Sequence, residues 1–553
     1  MRAFLTFVQK HFYLCILFCV GFLVYAPSLT NQLFWDDEQF IYNNSYVKNF
    51  EVIKIFTENT IAGAGEVSNY YRPLTTLSFA IDYQLWGVNP VGYHLTNTLL
   101  HIGVAILLFL LLQSLSMRKK AAGAISLFFL LHPIQTEAVV YANSRGDSLY
   151  AFFALLGLLL FSKALQNSSF KGSLYNLSVT LTTPHLLVLT VLLFWVSVLS
   201  KEIAVGILLL YPCIYLLHKF TKKRVSSGFG LPLMALLGMS TGIYAVLRAT
   251  VLRFQDTTNF FLGTPYGDSI VVRIATFAKV LLIYLSLLLI PVQLHMERTT
   301  AIVLNIFSWY SAAVILLFTI VITLGILELR KKHTVWILFG TFWFLGTLGP
   351  VSGIFPINDI MYEHWLYVPS IGFFIVCYGL LDLFFFLRKS GWPEKITLYS
   401  TIFIASLYAI LTIRQNYLWA NPIRFYSYTL THQETARLRN NLAMAYADTG
   451  NIDAAIGNYK KAIELSDVYP QTHYNLARSY LAKNERQLAL QELEIVIALE
   501  PHFDLAYPLL IQLYILESDR ESAEKHFALF SSRYPESDLT QQLRKKLDTL
   551  TNQ

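Results

Sequence analysis

HIGVAILLFLLLQSLSMRKKAAGAISLFFLLHP, residues 101–133, decides how the rest of the chain is read. One apolar run ends at Arg118, Lys119 and Lys120, and a second, shorter run follows at once. A membrane-crossing helix needs roughly 20 mostly apolar residues, so this stretch reads as two spans joined by a turn that carries three cations. Working outward, comparable runs occupy 12–28, 94–115, 121–133, 148–164, 184–200, 203–218, 229–248, 270–291, 305–326, 334–350, 366–388 and 396–413. The expected fold class is all-α, a polytopic membrane helical bundle.

The totals agree. Of 553 residues 55% are apolar and only 14% charged, and the mean hydropathy is +0.48. A soluble chain of this length needs far more polar surface. The net charge of +7 comes from basic residues gathered in short loops, which makes them topology signals and leaves no nucleic-acid footprint. Cys15, Cys19, Cys213 and Cys377 all lie in apolar segments, so buried thiols are expected and no disulfide framework. The first run, preceded by Arg2 and Lys10, ends in Pro27 without a small-x-small cleavage pattern and reads as an uncleaved first span.

Further basic clusters are Lys219, Lys222, Lys223 and Arg224; Arg330, Lys331 and Lys332; and Arg388, Lys389 and Lys395. The positive-inside rule wants all of them in the cytoplasm. That holds only if one candidate between 229 and 291 is no simple crossing. Segment 270–291, with Arg273 and Lys279 near its start, is expected to be interfacial, re-entrant or bent. About eleven spans then remain, and residues 29–93, 134–147, 201–202, 249–304 and 351–365 share the outer face.

Charge becomes dense after Arg437, where the sequence repeats every 34 residues. Asn441-Leu442-Ala443 recurs as Asn475-Leu476-Ala477; Tyr446, Tyr480 and Tyr514 keep the spacing, as do Ala455, Ala489 and Ala523. Tyr459, Leu493 and Phe527 continue it, and Pro501 and Pro535 close successive units. Small residues where helices cross and large ones a turn away are what stacked tetratricopeptide (TPR) helices require. The expected division is 1–420 for the membrane domain, within it 29–93 as the first outer loop, and 421–553 for the repeats.

The outer segments hold the chemistry. Asp36, Asp37 and Glu38 follow Phe34 and Trp35 at the exit of the first span, three adjacent carboxylates suited to a general base or a cation. Such a cluster could hold Mg²⁺ or Mn²⁺, both of which favour oxygen ligands, whereas the family resemblance that follows implies no metal or other cofactor. Arg72 offers a donor fork to a phosphate. His94, Asn97 and His101 share roughly one face of the second span, where polar groups tend to meet a cavity or a partner. His132 and Glu137, then Arg145 and Asp147, cluster at the outward end of a short span; Lys201 and Glu202 form a corner; Glu363 and His364 precede a later span.

Together, Trp35-Asp36-Asp37, Tyr71-Arg72-Pro73-Leu74, Tyr93-His94-Leu95-Thr96-Asn97 with His101, His132-Pro133 with Thr136-Glu137, Arg145 with Asp147, Ser200-Lys201-Glu202, and Glu363 through Tyr367-Val368-Pro369-Ser370 resemble the transmembrane and TPR-containing O-mannosyltransferases. The resemblance implies a GT-C glycosyltransferase fold and inverting transfer of a monosaccharide from a polyprenyl-phosphate carrier to a protein or glycan acceptor on the non-cytoplasmic side. It assigns the base role to Asp36 or Asp37, and carrier-phosphate contacts to Arg72, Arg145 or Lys201. Where relatives often carry Glu-Arg, this chain has Glu363-His364, so a protonated His364 would have to stand in for the arginine. Compact loops and a short repeat array point to a bacterial inner membrane. Two rival readings are an envelope glycan ligase or polymerase and a non-enzymatic membrane-anchored TPR scaffold.

Overall fold

The computed structural model describes residues 11–549, except 167–169, 175–176, 182, 221–226, 253–260, 262, 332–333, 355–356, 358 and 390–392. Arg2, Lys10, Lys222, Lys223, Arg224 and Lys332 lie outside the described residues. The chain divides into two compact units, Met1–Asn421 and Pro422–Gln553.

In the first unit every apolar run becomes a helix, because a segment without polar side chains can satisfy its backbone in lipid only by internal hydrogen bonds. Among the described residues nine helices are long and apolar enough to cross a membrane, Pro184–Ser200 and Trp336–Val351 are shorter apolar helices, and Lys119–Leu131 with Pro133–Val140 forms a pair bent by 51°. The unit is an integral membrane bundle. A two-stranded antiparallel hairpin, Phe170–Leu174 with Leu177–Leu181, is the departure from helix among the described residues. Cys15, Cys19, Cys213 and Cys377 are free thiols, but Cys19 is exposed and the others half-buried, so the expected burial is not met: their helices turn those positions partly outward.

The bend falls where Pro133 removes a backbone donor. The His132 ring fills the break: its Nδ1 accepts the Ile134 N–H at 3.2 Å, which leaves Nε2–H to donate to the Leu288 carbonyl at 3.2 Å.

Helix Ile270–Leu289 is unbroken, so no bend distinguishes it. Its neighbours do. Near its start Arg273 donates to the Gly353 carbonyl, just past the end of Trp336–Leu348. Its end meets His132, at the end of Lys119–Leu131, and beyond it Leu294 accepts from Gln415, near the end of Glu394–Leu418. Both ends thus touch the same end of the bundle. Segment 291–303 runs back beside the helix, with Lys279 donating to the Ala301 carbonyl and Val303 N–H to Thr276. By length and composition it nevertheless stands among the nine candidate spans of the described residues. At the opposite end Arg118 faces Asp382 at 3.5 Å and Lys120 pairs with Glu394 at 2.9 Å, so the cations of the opening stretch gather there.

The second unit is a solenoid. Its pairs Ala436–Asp448 with Ile452–Leu465, Pro470–Ala482 with Arg486–Leu499, and Ala506–Leu516 with Arg520–Arg533 repeat the same hairpin. Ala443, Ala455, Ala477, Ala489 and Ala523 are fully buried at the helix crossings, and Tyr459, Leu493 and Phe527 pack beside them.

Candidate active site

The acidic motif begins with strain. Trp35 sits at φ 65°, a left-handed conformation that costs a bulky residue on the order of 1 kcal/mol or more. That turn starts a π-helical turn at Glu38–Tyr42, with the Asp36 carbonyl accepting from Gln39 and Phe40 N–H. It also separates the three carboxylates. Asp37 is buried, its Oδ2 accepting the Phe34 N–H at 3.2 Å and its Oδ1 the Asn143 N–H at 2.8 Å. Asp36 stays half-exposed and Glu38 exposed. Burial, with the Asp36 charge adding to it, holds the Asp37 carboxyl well above the usual range against the pull of those two N–H groups and Arg145. Trp35, Tyr141 and Trp419 form an aromatic wall beside the motif.

Asn143 leads into the helix Arg145–Leu165, whose first turn faces two ways. Arg145 is fully buried among Asp82 (2.5 Å), Asn97 Oδ1 (2.7 Å), the Tyr93 carbonyl (3.1 Å) and Ser78 (3.2 Å), over the Phe79 ring. Two residues on, Asp147 accepts from Lys201 at 2.7 Å, also buried. Burial draws the Lys201 ammonium below its ordinary range, with Asp147 opposing. Next to it Arg72 forks onto Glu202 through Nε (2.9 Å) and Nη2 (2.6 Å).

The same neighbourhood receives the late loop. Glu137 accepts the His364 backbone N–H at 3.2 Å and its ring Nδ1–H at 2.6 Å. Glu363 Oε1 accepts the His295 N–H at 3.0 Å and Arg298 Nη2 at 2.9 Å. Burial pushes Glu363 up to about 8, with Arg298 opposing. Burial, then Lys201, brings His364 down to about 3.

The bundle therefore brings Asp36, Asp37, Arg72, Glu137, Asp147, Lys201, Glu363 and His364 to one end, with Glu38 exposed beside them. Four expectations change. Arg145 has no fork left for a phosphate, because four of its five N–H groups are engaged inside the protein. His364 is neutral, because burial and neighbouring cations disfavour imidazolium, so it cannot replace an arginine. His94 and Asn97 tie helices together, His94 Nε2 to the Asn31 carbonyl at 3.0 Å and Asn97 to the Val139 carbonyl at 3.2 Å. His132 caps the proline break. His101 likewise bridges Tyr367 and the Leu130 carbonyl. Missed altogether were His295, Glu297 and Arg298; three ionisable residues in four positions straight after an apolar helix were the available signal. Among the described residues no three His, Cys, Asp or Glu side chains converge as metal ligands.

Comparison with known proteins gives the kinship of the chain. The chain is 27% identical over 502 residues to protein O-mannosyl-transferase TMTC3 of Mus musculus, covering 84% of this chain and 53% of that one. It is 27% identical over 497 residues to human TMTC1, covering 81% and 54%, and 27% identical over 475 residues to F38B6.6 of Caenorhabditis elegans, covering 83% and 63%. Its relatives are protein O-mannosyl-transferases. The chain spans about half the length of the relatives it matches first. A TPR repeat family model matches residues 443–484, inside the solenoid. The resemblance read from the motifs is thus sound: similarity to the O-mannosyl-transferases extends through both units.

Proposed function

We propose that this chain is a membrane glycosyltransferase that moves a monosaccharide, mannose by kinship, from a polyprenyl-phosphate carrier to a hydroxyl acceptor. The observation that carries this reading is the division of labour in the acidic motif beside a basic corner. Asp37 is held by two backbone N–H groups and positions the turn; Asp36, next to it, is the half-exposed carboxylate. Asp36 is the base. It takes the acceptor O–H proton as the acceptor oxygen bonds to the anomeric carbon from the face opposite the phosphate. The carbon–oxygen bond to phosphate breaks and its electron pair leaves with the carrier, inverting the anomeric centre. The aromatic wall of Trp35, Tyr141 and Trp419 is suited to packing against a sugar ring. Neutralising the leaving phosphate is the main electrostatic task. No metal is assigned to the reaction, and full loss of transfer in chelator would overturn that.

The basic clusters at the other end favour a site outside the cytoplasm, at the bacterial inner membrane. The TPR solenoid suits a protein acceptor, with surrounding membrane lipid and no nucleic acid among the partners.

The test is transfer from mannosyl polyprenyl phosphate by the purified full-length chain. General-base help is typically worth about a hundred- to ten-thousandfold, so Asp36→Asn should lose that much kcat while melting like the parent. Asp37→Asn sets an amide NH₂ against a backbone N–H and should lose both activity and thermal stability. Full activity in both variants would remove the acidic motif from the reaction.

A further inference from the structure

The proposed reaction needs a cation for the leaving phosphate, and the basic groups of the site differ in what they have left to give. Arg145 has four of its five N–H groups directed at Asp82, Asn97, Ser78 and the Tyr93 carbonyl. Lys201 is buried against Asp147, and Arg72, with three N–H groups to spare, has its Nε–H and one Nη2–H on Glu202 and leaves no buried N–H unpaired among the described residues. Arg298 is arranged otherwise. Its Nη2 donates to Glu363 Oε1 at 2.9 Å and to the Gln293 carbonyl at 2.7 Å, while its Nε–H is buried without a hydrogen-bond partner among the described residues. Two of its five N–H groups are thus accounted for, and the side chain keeps 18% of its surface open.

The segment that carries it is held from both sides. Gln293 takes φ 55°, the Leu294 carbonyl accepts from Gln415 at 3.0 Å, and His295 N–H donates to Glu363. Leu294 is packed with Met361 and Trp365. A guanidinium so fixed loses little freedom on meeting a ligand, and a buried unpaired N–H favours any oxygen that reaches it. Its one carboxylate partner, Glu363, is shifted upward by burial and so opposes a second anion weakly near neutral pH.

We propose that Arg298, held by Glu363 and the Gln293 carbonyl, is the contact for the phosphate of a lipid-linked donor. This rests on the glycosyltransferase reading. Phospholipid headgroups and free phosphate share the chemistry, so the test separates them.

Full-length protein in phosphatidylcholine nanodiscs is titrated with geranylgeranyl phosphate, alone and against phosphatidylglycerol or inorganic phosphate. Loss of a charge-assisted contact predicts binding weakened about tenfold or more in Arg298→Gln, with Arg298→Lys intermediate and usable if the glutamine variant folds poorly. Glu363→Gln should change binding little near neutral pH, since burial already holds that carboxyl largely uncharged. Wild-type affinity in Arg298→Gln overturns the proposal. So does equal loss in Arg298→Gln and Glu363→Gln, which would make the pair structural, and so does displacement of the prenyl phosphate by equimolar phosphatidylglycerol or inorganic phosphate. Sugar transfer by the same samples keeps the two ideas apart. Transfer undiminished in Arg298→Gln sinks the phosphate contact alone; Arg298-dependent binding without transfer from any carrier sinks the enzyme reading alone.

Discussion

Replacing Arg145 by methionine separates a structural from a ligand-binding arginine. The side chain is fully buried and paired at 2.5 Å with Asp82, itself only 6% exposed. Without it, Asp82 keeps the Thr96 hydroxyl at 3.0 Å, while Asn97 Oδ1 and the Tyr93 carbonyl each lose a donor. Breaking a buried pair from one side leaves an uncompensated charge and costs about 3–5 kcal/mol. Unfolding entropy near 2.1 cal/mol/K per residue gives roughly 0.9 kcal/mol/K for a unit ending at Asn421. The melting temperature in detergent should therefore fall by about 3–6 °C, read by intrinsic fluorescence without any ligand. Arg145→Met with Asp82→Asn removes both charges and should recover more than half of that loss. A single variant that melts within about 1 °C of wild type, yet no longer responds to added prenyl phosphate, would refute the structural assignment and return Arg145 to the ligand.

Stability should also depend on pH through Glu363. Its folded value of about 8 lies above the ordinary 4.5, so the folded state binds the extra proton and stability falls as pH rises through that window. His364, drawn down to about 3, contributes the opposite slope below its ordinary 6.5. Between pH 6.5 and 8 only the fall remains from this pair, and Glu363→Gln should flatten it in melts taken across that range; an unchanged slope counts against the burial argument. Gly372→Ala should cost about 1–3 kcal/mol, since an added Cβ would meet the Phe344 nitrogen at 2.5 Å and the Gly340 carbonyl at 2.6 Å between two packed helices; a melt matching wild type would show that the helices can part freely. In the solenoid, Ala489→Leu should overpack a fully buried crossing and speed proteolysis of the tail, with equal cleavage rates as the contrary result.

What the amino-acid order determined alone is whatever depends on near neighbours. Each apolar run became a helix because hydropathy over about 20 residues and internal backbone bonding suffice to specify one in lipid. The 34-residue repeat became a solenoid because every unit meets only the next, so Ala455, Ala489 and Ala523 announce their crossings by spacing. Span parity made Ile270–Leu289 the expected exception, yet its helix is unbroken and as apolar as the other candidate spans. Tertiary structure decided the partners of the charges. Glu137 and His364 are 227 positions apart, Arg72 and Glu202 130, Arg298 and Glu363 65. Whether a buried arginine is a strut or a ligand contact depends on which carboxylates packing sets beside it, and no local pattern records that. Arg145 and Arg298 look alike in the sequence; burial and hydrogen bonding, which arise only when distant helices close on one another, make one structural and leave the other with donors to spare.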